Sequence, residues 1–362
     1  MLIKIAQLFL VVGLTLVASV NVNAASSNSA LAWHGYILGE DISNLHGGLK
    51  TGSIFNGNTE IVAFYDLQTR FDHNALIKFG ILGATCTQYQ SLYTYAIQSP
   101  SSFLAPRGIK ISDLSYQYNL SKKNKIIIGV MDMDDNFNIT ESASNLLNNA
   151  FFNTATLYAN TQMATFPFPG FGAMASITQN QTTGMLGIYQ GNPQHLSTVF
   201  YNGYMIIAEV DHAFNLTFSK YANYSIKGGA WLYQLSDPSI VFSTNARGLY
   251  LITQANWITE DARALAMFMN IGYSDQDIKY VPYSLSVGLR SDNIFFGNKD
   301  SLSFGLGKIW VADLSSEVAY ELAYATELYS GLVVTPDAQY IVKPSGFLPN
   351  AWIFMIRLSY NF

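Results

Sequence analysis

The chain has 362 residues and a formal net charge of −5, with 12% of residues charged and 14% aromatic. Soluble domains carry about 25% charged residues, and a nucleic-acid partner calls for a basic patch, so composition speaks against both classes. Mean hydropathy is +0.17, yet beyond the N-terminus no run reaches the roughly 18 apolar residues of a spanning helix.

The N-terminus reads as an export address. Lys4 gives a positive start, Leu8 to Val20 is apolar except at Gly13, Thr15 and Ser19, and Val22-Asn23-Ala24 puts small residues at the cleavage positions. The run is short for ~30 Å of hydrocarbon, which disfavours an anchor. A signal peptide over 1–24 is therefore expected, followed by a single domain over 25–362. Cys86 is the only cysteine, so an intrachain disulfide framework is excluded and stability must come from strand pairing.

Alternation then recurs along the chain. Ile61, Ala63, Tyr65 and Leu67 oppose Phe64, Asp66, Gln68 and Arg70. Leu114, Tyr116, Tyr118 and Leu120 oppose Ser115, Gln117 and Asn119. The stretch from Asp132 to about Asn180 breaks the rhythm. It holds Ser142 to Phe152, a short helix or coil, and the Pro167 to Gly170 run; a connection this long is usually functional. Alternation resumes with Tyr204, Ile206, Ala208 and Val210 against Ile207, Glu209 and Asp211. Leu285, Val287 and Leu289 then oppose Ser284, Ser286 and Arg290, and Val318, Tyr320, Leu322 and Tyr324 oppose Glu317 and Glu321. The last strand sets Trp352, Phe354, Ile356, Leu358, Tyr360 and Phe362 against Arg357, Ser359 and Asn361.

Between these runs, Asn56-Gly57-Asn58, Ser121 to Asn124, Gly191-Asn192-Pro193, Ser236-Asp237-Pro238 and Gly297 to Asp300 read as turns. A chain apolar on average but nowhere continuously so suits strands that show lipid at every second residue. The spacing predicts an all-β fold: a transmembrane antiparallel β-barrel of about 16 strands, with the 132–180 stretch folded inward as a constriction. A terminal Phe362 closing such a strand resembles the signal read by the barrel-assembly machinery of bacterial outer membranes. The expected location is the outer membrane of a Gram-negative bacterium, with lipid around the barrel.

Further motifs resemble the OprB-type carbohydrate-selective porins over nearly the whole mature chain. Asn44, Gly47 and Gly48 in ISNLHGGLKTG look like that family's N-x-x-G-G segment, and Asp66 falls where the family carries an Asp. GVMDMDDNF, from Gly129 to Phe137, is similar to its G-x-x-D-x-x-D-x-F element. FFNTATLYAN and FPFPGFGA match the segments that follow. SVGLRSDNIFFGNKDSLSFGLG looks like its strand, G-x-x-D turn and Gly-rich strand. TPDAQYIVKPSGF, from Thr335 to Phe347, resembles its P-D-x-Q-Y-I-x-x-P-x-G signature, the most specific of these. Before Asp300 the family tends to carry an Arg, where this chain has Asn298 and Lys299. The resemblance implies passive, substrate-biased diffusion of sugars through a water-filled barrel, with no cofactor. Many porins are homotrimers, although no residue of the sequence marks an interface.

Parity alone puts Asp66, Arg70, Glu209, Asp211, Arg290, Glu317, Glu321 and Arg357 on the polar faces, because Arg at the lipid midplane costs about 2–4 kcal/mol. They are the candidate pore-lining residues, with Tyr189 and Trp231 as stacking or girdle candidates. Both signs among Ser, Asn, Gln and Tyr suit a neutral polyhydroxylated solute, held weakly enough to leave again. A porin for other small polar solutes is the alternative, and an outer-membrane enzyme or structural barrel a third reading. Of the five histidines, His34, His46, His73, His195 and His212, only His212 has a carboxylate neighbour, Asp211. Adjacent strand residues face opposite ways. No metal or phosphate motif is present, so an enzyme is not expected.

Overall fold

Period-two alternation becomes sixteen antiparallel strands that close on themselves in a computed structural model of the chain. The structure describes residues 30–86, 93–194, 203–215, 222–235, 245–258, 264–276, 280–295 and 299–362. The leader expected over 1–24, His195, Asn298 and the turns at 236–238 and 297–298 lie outside the described residues.

The first half comprises β1 (Leu31–His46), β2 (Gly52–Asp66), β3 (Ala75–Ala84), β4 (Gly108–Asn119), β5 (Lys125–Met131), β6 (Gly170–Gln179), β7 (Thr182–Gln190) and β8 (Gly203–Asn215). The second comprises β9 (Ala222–Leu235), β10 (Asn245–Ile258), β11 (Ala264–Gln276), β12 (Tyr283–Asp292), β13 (Asp300–Trp310), β14 (Glu317–Tyr329), β15 (Leu332–Val342) and β16 (Ala351–Asn361). Each strand pairs with its sequence neighbours, and β1 pairs with β16 from Tyr36↔Asn361 onward. Closure leaves no strand edge, the condition for a sheet in hydrocarbon. No helix among the described residues is long and apolar enough to cross a membrane.

The two ends differ. Tight connections at 120–124, 180–181 and 330–331 share one end with both strand termini, whereas the long connections 85–107 and 132–169 leave the other. In bacterial barrels short turns lie on the periplasmic side and long loops outside.

Outward positions carry exposed Leu186, Leu249, Leu289, Phe304 and Phe354. Aromatic rings collect at both margins of this apolar wall. Near the long-loop end Tyr340 lies 4.5 Å from Trp352 and Tyr273 lies 5.5 Å from Tyr283. Near the short-turn end Trp33 lies 5.8 Å from Phe362, and Tyr224 lies 5.7 Å from Trp257.

Two sequence readings change. Asn56-Gly57-Asn58 is no turn but the middle of β2, where Asn56 and Asn58 point inward and their amides reach Glu40 and the Phe103 carbonyl. Asn favours turns because its side chain competes for backbone groups, and here acceptors distant in sequence take its amide N–H groups. The strand predicted through Arg70 stops at Asp66, which caps a short helix α1 (Leu67–Phe71) by accepting from Gln68 N at 2.9 Å. As expected of a short helix or coil, Ser142 to Phe152 resolves into a 3-10 turn at Glu141–Ala143 and helix α2 (Asn149–Phe152), followed by α3 (Ala155–Asn160).

Candidate functional site

Four inward glutamates hold the two long connections. Glu317 on β14 accepts from Ile97 N at 2.9 Å, Gln98 N at 2.7 Å and Ser345 N at 2.6 Å. Glu321, two inward positions further, accepts from the amides of Leu147 and Asn148. Glu209 on β8 accepts from Asn138 N at 2.8 Å and the Tyr250 hydroxyl at 2.6 Å. Glu40 on β1 accepts from Asn56 and Ser101, both at 2.8 Å, and pairs with Arg357 at 2.6 Å. These carboxylates are at most 3% exposed. A buried amide left without an acceptor costs about 1–3 kcal/mol, so Glu317, Glu321 and Glu209 fix the segments whose N–H groups they receive, and Glu40 holds the 85–107 connection through the Ser101 hydroxyl.

Apolar packing works with these anchors on one side of the interior. Met133, Phe137, Leu157 and Met163 of the 132–169 segment join Tyr189, Met205, Ile207, Trp231, Tyr233 and Ile252 in a buried cluster. Leu146, Leu147, Ala150 and Phe151 pack with Phe268, Ile341 and Ile353. A Cβ at Gly305 would stand 2.6 Å from the Phe151 ring, so only glycine lets α2 lie against β13. Tyr189 and Trp231, read as stacking or girdle candidates, are 0% and 3% exposed inside this packing. Neither faces lipid.

The wall of β1 to β4 is different. Register lines up inward Tyr36, Glu60, Leu82 and Lys110 on consecutive strands. Facing them are rings from both long connections: Phe103 lies 5.9 Å from Tyr36 and 5.3 Å from Phe166, and Lys110 Nζ stands 3.7 Å over the Phe168 ring. These three phenylalanines are half-buried. The Arg357 guanidinium lies 5.0 Å from Phe103. The Tyr36 hydroxyl, Lys110 Nζ and Asp132 Oδ1 form no hydrogen bond with the described residues. Nearby, Lys78 pairs with Asp113 at 2.9 Å and faces Asp135 at 3.9 Å, and Lys125 Nζ donates to Asn136 at 3.3 Å. Burial, with the neighbouring charge of Asp135, pushes the Asp134 carboxyl up to about 6, against hydrogen bonds from Thr165 and Asn153.

The sequence candidates therefore divide. Glu209, Glu317, Glu321 and Arg357 are inward and hold other protein groups. Arg290 on β12 is inward, pairs with Asp292 at 3.1 Å and donates to Ser144 at 2.9 Å. Asp211 is inward and half-buried near Lys227. Asp66 and the exposed Arg70 sit in the α1 turn, away from the Tyr36 row. Parity could have found Glu60 and Lys110, since both fall on polar faces. It could not supply Phe103, Phe166 and Phe168, which arrive on irregular connections. Among the described residues no three His, Cys, Asp or Glu side chains converge as a metal site.

A closed sixteen-strand barrel with an apolar outer wall, aromatic margins and charge-lined interior defines the porin class. The model of the OprB family of carbohydrate-selective porins matches residues 94–362. The chain belongs to this family, and so is a channel of the outer membrane with carbohydrate as its permeating solute, not an enzyme. Among solved structures it is similar to Pseudomonas putida OprB at high pH, with 17% identity, TM-score 0.80, and 92% of this chain and 94% of that one covered. The low-pH structure of the same protein gives 16% identity and TM-score 0.61, covering 92% and 93%. Salmonella typhi OmpF, complexed with daunomycin, gives 9% identity and TM-score 0.59, covering 92% and 97%. At such identities these structures bear on the fold alone. No curated protein matches the chain.

Proposed function

We propose that sugars pass along the cluster formed by the Tyr36, Glu60 and Lys110 row and the Phe103, Phe166 and Phe168 rings packed on it, with the 132–169 segment as the constriction. The observation that carries this is the pairing of half-buried rings with polar groups that have no protein partner. Ring faces pack on the C–H surface of a pyranose, and Lys110, Tyr36, Glu60 and Asp132 offer donors and acceptors to its hydroxyls. Contacts of this kind are weak singly, which suits a site that must release its solute. In the same reading the 1–24 leader is removed on export, and 25–362 forms one domain. The barrel-assembly machinery takes up the strand ending in Phe362, lipid surrounds the two aromatic margins, and the barrel assembles as a homotrimer.

Single-channel conductance in a planar bilayer, titrated with glucose and then maltodextrins, tests the passage. Sugar is expected to reduce the current in the wild type. Lys110→Ala combined with Phe168→Ala should raise the half-blocking concentration roughly tenfold, equivalent to about 1.4 kcal/mol. Current indifferent to every sugar would remove the sugar site and favour a porin for other small polar solutes. An unchanged half-block in the double variant would move the site elsewhere in the barrel.

A further inference from the structure

On β13 the outward positions are Leu302, Phe304, Leu306, Lys308 and Trp310, alternating with the buried Ser301, Ser303 and Ile309. Lys308 therefore stands on the lipid-facing wall, and its register partners Leu285 and Val318 are apolar. Its Nζ lies 4.5 Å from the centre of the Trp310 ring, one outward position nearer the long-loop end. A lysine on such a wall extends its ammonium towards the membrane surface, and at this end that surface is the outer one.

The aromatic margin is stepped around it. Tyr273, Tyr283 and Trp310 follow one another on β11 to β13, and Tyr320, Tyr340 and Trp352 on β14 to β16. Tyr320 pairs in register with Leu306, so the row drops by two outward positions between Trp310 and Tyr320. Lys308 occupies the step. A second lysine lies beside it. Val318 pairs with Lys308 on one side and with Val342 on the other, which sets the exposed Lys343 just past Val342, two strand spacings or about 10 Å from Lys308. Asn350 fixes that corner, accepting from Lys343 N at 3.1 Å and donating to the Tyr340 hydroxyl at 2.8 Å. Among the described residues neither lysine has an ion pair, whereas Arg247 at the same margin has its own carboxylate, Asp275, at 2.7 Å.

We infer that this margin binds a phosphorylated glycolipid of the outer leaflet, with phosphate on Lys308 and Lys343 and the sugar rings over Tyr340 and Trp352. Charge selects the class of occupant: two ammonium groups without a carboxylate of the chain call for an anion, and phosphate offers several acceptors to such point charges. The rings select among anionic lipids, because aromatic faces pack on the C–H surface of a sugar and a glycerol headgroup offers no such surface. Acyl chains then run down the wall over the exposed Phe304 and Leu322, which pair in register.

Native mass spectrometry of the full barrel in mild detergent, with purified lipid A as the probe and folding checked by heat-dependent gel mobility, tests the site. The wild type should retain lipid A. Lys308→Gln should weaken retention about fivefold, the effect of one lysine at an anionic surface, and Lys308→Gln with Lys343→Gln should weaken it further. Lys308→Arg should retain the lipid. Lys122→Gln, which removes an exposed charge at the short-turn end, should leave retention unchanged. Lipid A stripped of its phosphates, and phosphatidylglycerol, should both bind less well than lipid A. Equal retention by the wild type and the folded double variant would overturn the site, as would an equal loss in Lys122→Gln, which would place the effect in net charge. Equal retention of phosphatidylglycerol would overturn the glycolipid as occupant. A wild type that retains no lipid A would overturn both.

Discussion

A carboxylate that accepts from two backbone amides cannot be removed as cheaply as one facing water. Glu321 receives Leu147 N and Asn148 N inside the barrel, so Glu321→Ala strands both and costs about 3 kcal/mol. The strands retain their own ladder, so the loss falls on the hold over the 132–169 segment. Folded Glu321→Ala should give a larger and noisier open-channel current than the wild type, and Glu321→Gln, which keeps an acceptor, a smaller change. Wild-type current and noise in Glu321→Ala would show that the segment is held without it. Parity in the sequence was sufficient to place Glu209, Glu317, Glu321 and Arg357 inside. Their partners were not legible, because a backbone amide on an irregular connection leaves no trace in the residue letters.

Among the elements, the break in alternation after Asp132 was legible, and so were the strands on either side. The wall against which the segment packs was not, since Met133, Phe137 and Leu157 meet strands distant in sequence. Asn56-Gly57-Asn58 misled for a related reason: its turn chemistry is overridden by long-range acceptors. Asp134 ties the segment together, accepting from Asn153 Nδ2 at 2.9 Å and from Thr165. Its carboxyl, pushed up to about 6 chiefly by burial, lies above the roughly 3.9 of a free Asp. Sign follows from that order: the folded segment binds the proton more tightly, so its stability is greatest below about pH 4 and falls as pH rises through about 6. Because Asp134 is half-buried, solvent screening trims the effect to about 1 kcal/mol. Hydrogen exchange over 134–165, corrected for intrinsic rates, should show more protection at pH 4.5 than at pH 7.5. Asp134→Asn should flatten the difference. Protection that rises with pH in the wild type would contradict the assignment, with Asp135, Lys78 and Lys125 the next groups to examine.

At the scale of the molecule everything depends on one seam, where the last strand meets the first. Phe362 N and O each bond with Gly35 at 3.0 Å, and the terminal ring lies along the outer side of that glycine. A Cβ at Gly35 would stand 2.7 Å from the Phe362 ring and 2.6 Å from the Glu60 carbonyl oxygen. The chain end thus needs a residue without a side chain opposite it, and Trp33 and Tyr360 complete the aromatic margin around the ring. The alternation and the terminal Phe were visible in the sequence, but the requirement at Gly35 depends on the register between β1 and β16, which the order of residues does not state. Gly35→Val should lower the folded fraction in lipid vesicles, read by heat-dependent gel mobility, because it opposes the ring at the step that removes the last strand edges. Phe362→Ala in the same chain should recover part of the loss by vacating the ring's position, though not all of it, since the contact with the Glu60 carbonyl stays. Equal folding of Gly35→Val and wild type would mean that the seam tolerates a side chain there. No recovery in the double variant would place the whole cost on the Glu60 backbone instead of on Phe362.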